Sequence, residues 1–145
     1  FETRLVFEDN TPGVFIGFYP RGAVLADGAT TLGIDLDVCG FHKPETSSLF
    51  GVSSDATSDD SNTSAIDTGI DTTAAQDYTL AVGYNGLTDT LKWYVDGVEK
   101  TSQENADANG MMPDQNCAWG ILTRSEGTSG TEIDVDYVYI ECDRA

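Results

Sequence analysis

Between Tyr78 and Lys100 the chain reads YTLAVGYNGLTDTLKWYVDGVEK. Tyr78, Leu80, Val82 and Tyr84 alternate with Thr79, Ala81 and Gly83. That period of two sends successive side chains to opposite faces of a strand. Asn85-Gly86 opens a turn, and Leu91, Trp93 and Val95 return on the same period. Asp96-Gly97 marks a second turn, because Asp-Gly suits the twisted two-residue hairpin, and Val98 to Thr101 folds back from it. The stretch is a run of consecutive antiparallel strands, and it sets the expectation for the rest.

The flanking sequence follows the same grammar. Phe1, Thr3, Leu5 and Phe7 alternate with Glu2, Arg4 and Val6. Gly13 to Tyr19, GVFIGFY, is almost continuously apolar with two glycines, as expected of a strand buried on both faces or packed closely on backbone. Gly33 to His42 points Ile34, Leu36 and Val38 one way and Asp35 and Asp37 the other, and Ser48 to Val52 is a short strand. Cys117 to Thr123 and Thr131 to Glu141 close the chain, the last with Ile133, Val135, Tyr137 and Tyr139 expected on one core face. Residues 53–77 are mostly Ser, Thr, Asp and Ala, with six Asp and no Lys or Arg, and read as a long surface excursion anchored by Ile66 and Ile70. Asn105 to Asp114 is a polar loop. No dozen residues carry a helical period, so eight to ten short strands in one all-β, two-sheet antiparallel sandwich are expected over residues 1–145.

Composition narrows the chemistry. The chain has 145 residues, 39% hydrophobic and 10% aromatic, enough for one core. No apolar run approaches the ~20 residues of a membrane helix, so a soluble chain without a membrane partner is expected. Lys and Arg total 7 against 25 Asp and Glu, a formal charge of −18, which argues against any nucleic-acid partner because phosphate binding needs clustered cations. The single histidine, His42, cannot build a multi-His metal centre. Cys39, Cys117 and Cys142 lack a C-x-x-C and read as reduced core thiols, with one internal bridge plus a free thiol as the alternative. The opening at Phe1, without Met or a signal segment, reads as a processed end or the ordered part of something longer.

Two family resemblances sit on these residues. Tyr78 to Lys100 resembles the strand–turn–strand signature of concanavalin-like and laminin-G-like jelly rolls, which closes on Tyr-Val-Asp-Gly, and Val135 to Ile140, VDYVYI, resembles their last strand. The resemblance implies a jelly-roll β-sandwich and says little about activity. The order VFIGF, then RGAVLADG at Arg21 to Gly28, then Gly40-Phe41, resembles a group of virion structural proteins of tailed bacteriophages. That likeness implies a subunit that decorates or cements a capsid.

Four constellations carry chemical alternatives. Glu132, Asp134 and Asp136 resemble the acidic strand of retaining glycosidases, with Asp136 one methylene short and only nine residues following it. Retaining chemistry needs two carboxyls about 5–5.5 Å apart, whereas this pattern is also that of a solvated strand face. Calcium would need six to eight oxygens, for which Asp35, Asp37, Asp59 and Asp60 are the candidates; no cofactor is expected. Among Trp93, Tyr94, Trp119, Tyr137 and Tyr139, alternation assigns Trp93 and Tyr137 to the core and leaves Tyr94 and Trp119 open for sugar stacking. His42 has no nucleophile motif beside it and reads as a strand-end polar residue.

The expected function is therefore a non-enzymatic structural protein on the outer capsid surface of a virion, assembled in the host cytoplasm. Its partners are the major capsid protein and further copies of itself, with a trimer as one form. An acidic exterior suits a high-copy protein that avoids packaged nucleic acid. Arg4, Arg21, Arg124 and Arg144, rare cations on a negative body, are the first contact candidates, with Tyr94 and Trp119 beside them. The Asp-rich segment is free to drape over a neighbour. A lectin-like carbohydrate-binding module is the rival reading, and a degenerate glycoside hydrolase the third.

Overall fold

The computed structural model describes residues 1–8, 13–20, 37–44, 48–55, 64–104, 106, 113, 116–124 and 132–141. They form ten strands: β1 (Glu2–Phe7), β2 (Gly13–Pro20), β3 (Asp37–Lys43), β4 (Ser48–Asp55), β5 (Ser64–Asp71), β6 (Gln76–Asn85), β7 (Thr90–Val95), β8 (Val98–Glu104), β9 (Cys117–Arg124) and β10 (Ile133–Tyr139). These make two five-stranded antiparallel sheets, ordered β10-β1-β6-β7-β8 and β5-β4-β3-β2-β9. The expected all-β sandwich is what forms, in an arrangement compatible with a jelly roll. The second turn behaves as its sequence dictates, with Asp96 at φ 52° and Gly97 at φ 74° supplying the two left-handed positions of the hairpin.

The core lies between the sheets. Leu5 and Phe7 of β1, Leu80 of β6, and Leu91 and Trp93 of β7 meet Val14 and Ile16 of β2 and Phe41 of β3, all fully buried. Burial of each such side chain contributes about 1.5–3 kcal/mol. A second cluster, Phe15, Val38 and Val52 with Tyr19, Phe50 and Leu122, lies on the other face of the second sheet. This explains the nearly continuous apolar run of β2, whose two faces are both covered. Gly17 and Gly40 face each other across β2 and β3, where a Cβ on either would strike its neighbour's backbone. Only glycine admits that approach.

Two sequence expectations change here. Part of the polar excursion is structure: β5 pairs with β4, and Thr68 is buried with its hydroxyl donating to the Leu49 carbonyl at 2.6 Å. A register shift between Leu49 and Phe50 and the positive φ of Gly69 break the alternation that would have revealed this strand. The other change is on β10. Leu5 pairs with Val135 but Arg4 pairs with Tyr137, so Asp136 is an extra, bulged residue. A one-residue slip moves everything beyond it to the other face. Tyr137 and Tyr139 therefore share the outer face with Arg4 and Glu2, and only Ile133 and Val135 keep the inward side expected of all four.

Candidate functional site

The outer face of the β10-β1-β6-β7-β8 sheet carries the richest cluster of chemistry among the described residues. Register places Tyr139, Glu2, Ala81 and Tyr94 in one row across four adjacent strands, with Tyr137, Arg4 and Thr79 in the next. Three strand spacings put Tyr139 and Tyr94 about 14 Å apart. Ala81, Thr79 and Gly83 keep the floor between them low, at the rim of a cavity of about 1550 Å³ that extends past Phe1 and Leu87 to Phe18, Cys39, Leu91 and Cys117 on the core side of the sheets.

The polar groups of this face engage one another. The Tyr137 hydroxyl donates to Glu2 Oε1 at 2.5 Å and the Tyr139 hydroxyl to Glu141 Oε2 at 3.0 Å. Donation to a carboxylate favours the neutral phenol, so both tyrosines titrate above their ordinary value. Arg4 places Nη2 2.7 Å from Asp77 Oδ2 and Nη1 3.4 Å from Asp136 Oδ2, tying together β6, β1 and the β10 bulge. Lys92 meets Glu99 at 2.7 Å beside Tyr94.

The expected contact residues separate. Arg4 and Tyr94 share this outer face. Trp119 does not: it packs against the inner core, its ring 6.3 Å from Phe1 and at 69° to it, so it forms no platform with Tyr94. Arg124 ends β9 opposite Gly13, with its side chain outside the described residues, as are Arg21 and Arg144. Glu132, Asp134 and Asp136 are exposed, and the bulge at Asp136 breaks the simple same-face spacing on which the glycosidase likeness depends. Asp37 is buried, whereas Asp35, Asp59 and Asp60 lie outside the described residues; among those described, no three His, Cys, Asp or Glu gather.

Other reactive groups are held inside. Burial pushes the Cys39 thiol up to about 12, and Cys39 and Cys117 are both unbridged, with Cys142 outside the described residues. His42, between Phe15 and Phe50 on the neighbouring strands, is lowered to about 4, first by burial and then by Lys43.

Sequence reasoning missed the flank of β10. Val135, Tyr137, Val138, Tyr139 and Ile140 are between 37% and 55% exposed, a concentration of apolar surface found elsewhere among the described residues only at scattered positions. The signal was present: five of the six residues from Val135 to Ile140 are apolar or aromatic, more than one buried face requires. Comparison with family models, curated proteins and solved structures finds no match for this chain.

Proposed function

We propose that this chain is a non-enzymatic structural subunit that decorates or cements a tailed-phage capsid, held on the major capsid protein by the β10 flank. The observation that carries the reading is the exposed apolar run Val135–Ile140 on an otherwise acidic body. Exposed apolar surface concentrated in one place marks an interaction site. The tyrosines supply rigid anchors of the kind that dominate interface energies. Self-association into a ring or trimer fits a repeated shell position. The test is reassociation with capsids stripped of their decoration: the chain sediments with shells and saturates at a fixed ratio. Absence of any shell affinity overturns the reading.

Tyr94, Tyr137 and Tyr139 above the Thr79–Ala81–Gly83 floor favour a second reading, a saccharide-binding face. Sugar rings stack on tyrosine, and flanking carboxylates accept hydroxyl hydrogen bonds. Glycan binding lost in Tyr94→Ala and Tyr139→Ala would establish it.

A further inference from the structure

Strand β10 ends its sheet, and among the described residues β1 is its only ladder partner. The direction of its backbone groups follows from its neighbour. Val82 N donates to Phe1 O at 2.9 Å and Ala75 N to Phe7 O at 2.8 Å, so the odd residues of β1 bond toward β6. Its even residues therefore bond toward β10. Register pairs those even residues, Glu2, Arg4 and Val6, with Tyr139, Tyr137 and Asp134. The backbone N–H and C=O of Val135 and Val138 consequently point away from β1, where no described strand pairs with them.

Edge strands are normally blunted by charge, bulges or glycine. Edge strand β8 of the same sheet carries Glu99, Lys100 and Glu104, and β5 carries the left-handed Gly69. The β10 edge has its own bulge at Asp136 and exposed Glu132, Asp134, Asp136 and Glu141, and between these charges it presents half-exposed Val135 and Val138. A second copy of this chain would set one acidic flank beside another, and like charges across a strand pair are destabilising. A segment alternating aliphatic side chains with Lys or Arg meets both features at once.

We propose that the outer edge of β10 receives an extended, basic and aliphatic segment of the shell protein as an added strand. The donor's identity rests on the decoration reading; the edge chemistry does not. Main-chain bonds to Val135 and Val138 hold the added strand, and the acidic flank selects its charge.

The experiment uses a fluorescent peptide of about eight alternating Lys and Val residues, with Glu–Val and proline-interrupted versions as controls. The wild-type chain binds the Lys–Val peptide and neither control, and amide exchange slows at Val135 and Val138. Val138→Pro, which removes an outward N–H and no bond to β1, weakens binding about tenfold or more while the fold persists. Should Val138→Pro fail to fold, the exchange data on the wild-type chain decide alone. Equal binding of the three peptides, unchanged exchange, or peptide-blocked self-association overturns the proposal. Shell binding that survives Val138→Pro unchanged overturns the β10 edge and leaves decoration standing. Peptide capture without any shell affinity does the reverse.

Discussion

Trp93 Nε1 donates a 2.7 Å hydrogen bond to the carbonyl oxygen of Gly40, joining β7 of one sheet to β3 of the other through the core. The indole also rests on Gly51 of β4, where a Cβ would stand 2.8 Å from the ring. This side chain thus spans the gap between the sheets. It fits because β3 offers the Gly40 carbonyl and β4 has no side chain at Gly51.

Trp93→Phe leaves the Gly40 oxygen without its donor and opens a void, and is expected to cost about 2–4 kcal/mol. Gly51→Ala overpacks the same contact at about 1–3 kcal/mol. Since the smaller ring relieves the overpacking, the double variant is expected to cost less than the sum. Denaturant unfolding of the four proteins checks this, and simple additivity would contradict the geometry.

Stability depends on pH through His42. Its folded value of about 4 lies below the ordinary 6.5, so the folded state disfavours the proton. The stabilisation is complete above pH 6.5 and is lost as pH falls from there toward 4, by up to about 3 kcal/mol. His42→Phe is expected to flatten that decline. An identical pH profile for the two proteins would show that His42 protonates without cost.

Cys39, with its thiol pushed up to about 12 by burial, is expected to resist alkylation at pH 8 in the folded chain and to react on unfolding. Mass-spectrometric footprinting distinguishes it from half-buried Cys117. Rapid modification of native Cys39 would contradict its burial in the core between the sheets.

Arg4→Ala removes two exposed ion pairs and is expected to leave the unfolding midpoint nearly unchanged, with the small effect vanishing at high salt. Amide exchange at Tyr137 and Tyr139 is the finer readout, because Arg4 ties the β10 bulge to β6. Wholesale exposure of β10 in this variant would show that Arg4, not the ladder, holds the edge.

The strands from Tyr78 to Val95 were legible because alternation and Asp-Gly chemistry act locally. Trp93 was legible as core by its spacing from Leu91 and Val95, but its bond to Gly40 joins residues 53 positions apart and leaves no local trace. Tyr137 and Tyr139 were misplaced because one bulged residue, Asp136, inverts a pattern that looks unbroken in sequence. Strand β5 hid because the burial of its small polar Thr68 depends on the Leu49 carbonyl of β4. Of the outer face, Arg4 was legible as a rare cation, whereas its carboxylate partners come from strands far away in sequence.

The most direct test is to look for this chain in purified virus particles from its source and count its copies there, by quantitative mass spectrometry against the major capsid protein. Decoration predicts a fixed ratio set by the shell lattice. Absence from the particle, or a handful of copies confined to the tail, would contradict it.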